Sequence, residues 1–245
     1  MRRLRRRVEA EESDTGQASH GAPTTLAPIL GRMTDHAAAE RAALCDTFDR
    51  VGPTAPTLSG EWLTRDLAAH LVIRESRPLD AVGTFVPLLA DRTDAAISQL
   101  ATGTAWPSLV ERVRKGPPGW WPTAWVPGAD ELVNTAEFYV HHEDVLRAQR
   151  DWTARDVDPG LERALWAMLT KGGRFLFRRA RTGIVLDSGT ARTSVKGATD
   201  LGTVVLAGPP SELTLFAFGR QRVAHVECRG TEEQIAAVLD SRLDV

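Results

Sequence analysis

The sequence predicts an α plus α+β protein, in which a bundle of helices is followed by a small mixed unit. Three observations predict it. Up to Arg181, apolar residues recur at three- and four-residue spacings between Gly/Pro breaks, the pattern of amphipathic helices. After Arg181 the pattern changes to short β-rich runs separated by glycine turns. Two closing segments then return to helical spacing. The division that follows is residues 1–32 as a disordered extension, 33–180 as the helical bundle and 181–245 as the small α+β domain.

Residues 1–32 are rich in charge, Gly, Pro, Ser and Thr, a composition that cannot bury a core. The five arginines of Met1–Arg7 are followed by an acidic and polar run, Glu9-Ala-Glu-Glu-Ser-Asp, so the segment lacks the apolar centre of a secretory signal. Met33-Thr-Asp-His, at the head of the first periodic segment, is a candidate start. From Asp35 to Arg50, Ala38, Ala42, Leu44, Cys45 and Phe48 mark a first helix that Gly52-Pro53 ends. Thr64 is placed to cap a second helix, on which Leu67, His70, Leu71 and Arg74 repeat at helical spacing and set His70 on or beside the buried face. Further helices are predicted over Leu88–Leu100, Pro107–Lys115, Asp130–Arg150 and Pro159–Arg179, with Gly116-Pro-Pro-Gly119-Trp-Trp-Pro122 as a break. Strands are predicted at Gly183–Asp187, Arg192–Val195, Thr203–Leu206 and Val223–Cys228. Helices are predicted at Pro210–Phe218, opened by Pro and stopped by Gly219, and at Thr231–Leu239.

A net charge of -2 gives no general electrostatic pull toward nucleic acid or an anionic membrane. No apolar run approaches the ~20 residues of a membrane-spanning helix. Cys45 and Cys228 lie far apart, in neither metal-ligand nor redox spacing, so both are expected to be reduced, as in a cytoplasm. Glycine-rich phosphate loops, nucleophile elbows and zinc-finger spacings are absent, which removes the best-marked nucleotide-binding, hydrolase and finger classes.

The segment with chemical content is Asn134-Thr-Ala-Glu137-Phe-Tyr-Val-His141-His142-Glu143-Asp144. On a helix, a four-residue step overshoots a full turn by only about 40°, so Glu137 and His141 face the same way and can meet one ion. The same spacing also serves as a solvent-facing hydrogen-bonded pair. His142 is rotated by about 100° from His141 and cannot share that ion from a regular helix. Asp144 returns to nearly the same face as Glu137, as an acceptor for His141, a fourth ligand or a surface charge. His70 is the third candidate. Two imidazoles and a carboxylate leave positions open on a divalent ion, the composition of a reactive or ligand-binding centre more than a closed structural one.

Trp62-Leu-Thr-Arg-Asp66-Leu-Ala-Ala-His70-Leu, followed by Glu137-Phe-Tyr-Val-His141-His-Glu-Asp144-Val, resembles the N-terminal domain of mycothiol-dependent maleylpyruvate isomerases, within the DinB-like metal-binding helical bundles. More narrowly, Glu40-Arg-Ala-Ala-Leu-Cys45-Asp and His70-Leu-Val-Ile-Arg74-Glu75-Ser-Arg77-Pro78 resemble an actinobacterial-type branch of that group described as metal-binding. The resemblance runs from about Met33 to the end. It implies a DinB-like bundle with His70, Glu137 and His141 as ligands of a divalent metal, with Zn2+ first among the candidates. Val205-Leu-Ala-Gly208-Pro-Pro-Ser-Glu212-Leu and Phe218-Gly219-Arg220 resemble the small sterol-carrier-protein-like domain that follows such bundles, and Arg220 matches the arginine of a recurrent Gly-Arg ending there. That match implies a catalytic Arg220 clamping a substrate carboxylate; a surface or helix-capping arginine is the alternative. The region from Trp106 to Trp125, rich in Trp and Pro, departs from the isomerase pattern, and its aromatics either line the cleft or pack in the core.

Two function classes follow. In the first, the resemblance implies a transferase or isomerase in which the metal's open position takes a low-molecular-weight thiol, mycothiol in that family, as co-substrate against a small electrophile. A hydrolase using bound hydroxide is chemically allowed but has no separate motif for a base. In the second, the ion is structural or sensory and the C-terminal unit binds a ligand or a protein. Cys45 and Cys228 are expected to pack rather than react.

Overall fold

A computed structural model describes residues 27–76, 90–116 and 129–243. Six helices come first: α1 (Ala27–Val51), α2 (Thr64–Ser76), α3 (Ala90–Gly103), α4 (Trp106–Lys115), α5 (Ala129–Leu146) and α6 (Pro159–Leu176), the last running into a 3-10 turn at Phe177–Arg179. Then come β1 (Gly183–Asp187), β2 (Arg192–Lys196), β3 (Thr203–Ala207), α7 (Pro210–Ala217), β4 (Glu227–Arg229) and α8 (Glu232–Leu239). The described residues are therefore mainly helical, with one small mixed sheet. No helix among them is long and apolar enough to cross a membrane.

Local chemistry accounts for most of these limits. Asp158 caps α6 by accepting from the backbone of Gly160 and Leu161, with Pro159 in the first turn, where its missing N–H costs nothing. Thr231 and Gln234 form a reciprocal capping box on α8. The sheet has the order β2-β1-β3-β4, with β1 and β3 parallel and the outer pairs antiparallel. It docks on α6 through Gly173: a Cβ there would stand 2.6 Å from Val195 Cγ1 on β2, so only glycine permits the approach.

Four expectations are corrected in detail. Helix α1 starts at Ala27, inside the segment read as an extension; residues 1–26 lie outside the described residues. Thr64 does not cap α2, because its hydroxyl donates to the Gly52 carbonyl; Asp66 supplies the cap by accepting from the backbone of Leu63 at 3.1 Å. Helix α5 stops at Leu146, not Arg150. The fourth strand is only Glu227–Arg229, since the preceding backbone is engaged elsewhere: Val223 and Ala224 donate to the Arg220 carbonyl, the Val223 carbonyl accepts from Arg147, and His225 donates to Glu212.

Two apolar cores share α5. One gathers Leu44, Phe48, Leu67, Leu71, Ile97 and Leu109 from α1 to α4 and takes Phe138 and Val145 from α5. The other gathers α6, the sheet, α7 and α8 and takes Leu132, Ala136, Tyr139 and Val140 from α5. The polar residues near the C-terminal end of α5 are consequently buried too: His141, His142, Glu143 and Asp144.

A buried ionic network spans the two cores. Arg155 donates to both oxygens of Glu40 on α1 and to Glu143 on α5. Arg147 joins Glu143 at 2.6 Å to Glu212 on α7, also at 2.6 Å. His142 lies 3.2 Å from Glu40 and 3.1 Å from Thr47. Once charges are out of water, removing one partner strands the other at a cost of about 3–5 kcal/mol. Burial works to raise the Glu40 pKa, but hydrogen bonds from His142 and Arg155 and the Arg155 charge outweigh it and bring it from 4.5 to about 2. A carboxylate with a depressed folded pKa contributes stability that is complete above its unfolded value and is lost as pH falls through the folded one. Glu40→Gln should therefore cost about 3 kcal/mol above pH 4.5, shrinking toward pH 2, in denaturant titrations at stepped pH. Parallel wild-type and variant curves through that window would show that Glu40 carries no such shift.

Candidate metal centre

Helices α2 and α5 meet at the candidate site. On α2, packing of Leu67, Leu71 and Ile73 turns His70 inward, where it is 5% exposed. On α5, Phe138 and Val145 face the first core while Tyr139 and Val140 face the second, which leaves the stripe Glu137, His141, Asp144 pointing toward α2. One donor atom from each of His70, Glu137 and His141 lies within 4.8 Å of the others. Glu137 Oε1 is their hub, 3.2 Å from His141 Nε2 and 3.6 Å from His70 Nε2. The Trp62 ring covers His70, centroid to centroid at 5.1 Å.

Behind His141 stands Asp144, fully buried. Its Oδ2 lies 2.9 Å from His141 Nδ1 and also accepts from Ser59 Oγ at 2.8 Å. Arg220 closes the cluster with two parallel bonds, Nε to Oδ1 at 2.7 Å and a terminal nitrogen to Oδ2. The sequence explains how Arg220 arrives there. Helix α7 ends in a Schellman turn: Gly219 at φ +86° donates to the Phe216 carbonyl and Arg220 to that of Leu215, which turns the chain back toward α5.

Protonation follows from these contacts. Burial lowers the His70 pKa and outweighs the pull of the Glu137 carboxylate, so the imidazole is neutral with a lone pair to give. Burial works to raise Glu137, but the Arg74 charge and bonds to both histidines hold it well below the usual carboxylate range. At His141 burial is opposed and overcome by the bonds to Asp144 and then Glu137, so its pKa is raised. Asp144 is held low against burial by His141 and Arg220. With Nδ1–H donated to Asp144, Nε2 of His141 faces the Glu137 carboxylate across 3.2 Å; two lone pairs there repel unless a proton or a cation lies between them. The donor set thus suits a dication: neutral His70, ionised Glu137, and a His141 whose second nitrogen is already held by a carboxylate.

The three predicted ligands are thus brought together, and Asp144 is neither a fourth ligand of that set nor a surface charge, but the acceptor behind His141. Among the described residues, Arg220 meets the set through Asp144. His142 points to Glu40 and Thr47, as its 100° rotation requires. Cys45 is buried in the first core, where desolvation pushes its pKa up to about 11, and Cys228 packs beside the second. Trp106 packs edge-on against Phe48; Trp120, Trp121 and Trp125 lie outside the described residues. Sequence reasoning missed two contacts: Ser59, on Asp144, and Arg74, whose Nε is 3.2 Å from Glu137 Oε1. Arg74 was readable, since it follows His70 by one helical turn.

Fold and site together define a mainly helical protein with one small mixed sheet and a His2Glu cluster that could hold a divalent ion. No family model matches the chain, and no curated protein matches it in sequence. Among solved structures it is similar to the crystal structure of a mycothiol-dependent maleylpyruvate isomerase, at a TM-score of 0.56 and 18% identity, over 81% of this chain and 92% of that one. It is similar as well to a histidine-to-alanine variant of such an isomerase, at a TM-score of 0.56 and 17% identity, with the same coverage. The likeness at this identity is one of fold.

Purified protein should bind one divalent ion per chain, and His70→Ala and Glu137→Ala should abolish stoichiometric binding in elemental analysis. Asp144→Asn, which keeps all three donors, should weaken metal binding by about 10–100-fold through loss of His141 orientation. Circular dichroism and thermal melts separate this from unfolding. Unchanged affinity in Asp144→Asn would remove Asp144 from the site.

Proposed function

We propose that the protein is a divalent-metal enzyme that uses a low-molecular-weight thiol to transfer or isomerise a small electrophile. One observation carries the reading: His70, Glu137 and His141 converge within 4.8 Å, on a fold shared with a mycothiol-dependent maleylpyruvate isomerase. A dication held there supplies Lewis acidity, which lowers the pKa of a thiol at an open position so that the nucleophilic thiolate predominates. Zinc fits the His2Glu set, and mycothiol is the thiol suggested by the structural relative.

The chain's own residues have separable tasks. His70 and His141 give imidazole lone pairs and Glu137 gives the anionic donor. Asp144 keeps the proton on Nδ1 of His141, so that Nε2 is the binding nitrogen. Arg220 keeps Asp144 ionised and in register. In this reading its first task is positioning, and a substrate carboxylate would have to compete with Asp144 for the guanidinium. Trp62 shields His70 from water on one side. The protein's own thiols play no part: Cys45 is buried in the core and burial raises its pKa to about 11. The unpaired state of both cysteines accords with a reducing cytoplasm. The finer architecture, a DinB-like bundle over 33–180 and a sterol-carrier-protein-like unit over 181–245, belongs to the same proposal and rests on the motif resemblance.

The test is a thiol titration of the cobalt-substituted protein followed by visible absorption. Saturable spectral change with wild type and none with His70→Ala is the expected result. Stoichiometric cobalt with a spectrum indifferent to thiol would leave a metal-binding protein without thiol chemistry.

A further inference from the structure

The carboxylate of the ligand set is already spoken for. Glu137 is its one anionic member, and Arg74 lies against the same oxygen that faces both imidazoles, Nε to Oε1 at 3.2 Å. The guanidinium is held in place, because its terminal nitrogen donates to Asn134 Oδ1 at 2.8 Å, one turn before Glu137 on α5. Its side chain is part-exposed, at 21%. Asp144, the other carboxylate in contact with the set, is matched by Arg220.

A dication entering this set meets a negative charge already compensated by a fixed positive one. Two consequences have opposite signs. Arg74 repels the metal and withdraws charge from its carboxylate donor, which weakens metal binding. The same excess of positive charge in a part-buried site strengthens binding of any anion at the open position, while a neutral ligand gains little. We propose that Arg74 is a specificity-determining residue, trading metal affinity for selection of an anionic exogenous ligand such as a thiolate over neutral ligands. This rests on the metal-centre reading above and adds the residue that sets the charge of what the centre accepts.

The experiment uses the full chain loaded with cobalt, with metal affinity from chelator competition and ligand affinity from visible titration with azide, a monoanion, and imidazole, a neutral ligand. Arg74→Gln should bind cobalt about ten-fold more tightly and azide about ten-fold more weakly, with imidazole affinity unchanged. Arg74→Lys, which keeps the charge but not the fork, should restore wild-type azide affinity in large part. Falling affinity for metal, azide and imidazole together would mean that Arg74 merely supports the structure and would overturn the proposal. So would unchanged azide affinity in Arg74→Gln, or an Arg74→Lys variant indistinguishable from Arg74→Gln. Wild-type protein that takes up no cobalt would sink the metal reading itself, and this inference with it.

Discussion

The structure depends on a helix that has almost no solvent face. Most of α5 is buried, and its C-terminal half places His141, His142, Glu143 and Asp144 in succession, each rotated about 100° from the last. Each must therefore find a partner in a different direction, since an unpaired buried charge costs several kcal/mol. His142 finds Glu40 and Thr47 on α1, Glu143 finds Arg147 and Arg155, and Asp144 finds Ser59 and Arg220. His141, with Glu137 a turn earlier, is left facing His70. The candidate metal centre is one of several solutions to one burial problem, and the one that gathers two imidazoles around a carboxylate.

That constraint also explains why the C-terminal part belongs to the site. Arg147 and Arg220 cross between the helical part and the elements around α7. The guanidiniums are suited to this, because a planar fork satisfies both oxygens of a carboxylate that water cannot reach. Arg147 does so for Glu212 and Arg220 for Asp144. The placement of the turn after α7 and the orientation of His141 are thus linked through Asp144, which accepts from both sides.

What was legible in the sequence divides along physical lines. Local signals read well: the β-rich run Gly183–Asp187 and the start of α6 at Pro159 are found where expected. The Glu137–His141 pairing was legible because it depends only on helical periodicity. His70 was a candidate from its place on an amphipathic helix and from the composition of a divalent site, but its pairing with Glu137 and His141 rested on a family resemblance, since nothing in spacing relates two helices more than sixty residues apart. Failures occurred where a distant side chain competes for backbone groups. Val223 and His225 read as strand, yet Arg147 and Glu212 claim their polar groups. Thr64 read as a cap, yet the Gly52 carbonyl takes its hydroxyl. Arg155 reaching Glu40 across 115 positions leaves no local trace at all.

The geometry around His141 shows why a cation suits this site better than further packing. The imidazole is fixed between two carboxylates, Asp144 on Nδ1 and Glu137 on Nε2, so it needs positive charge on both nitrogens to avoid repulsion. In the metal-free chain a second proton supplies it, which is why the pKa of His141 is raised despite burial. His70, facing the same Glu137 oxygen, stays neutral because burial outweighs the pull of that carboxylate. The cluster therefore accepts one positive charge from a proton but offers three donors, and a proton can bridge only two of them. A dication is the species that engages all three at once, and the Arg74 charge on Glu137 sets how tightly it is held and what it draws in from solvent.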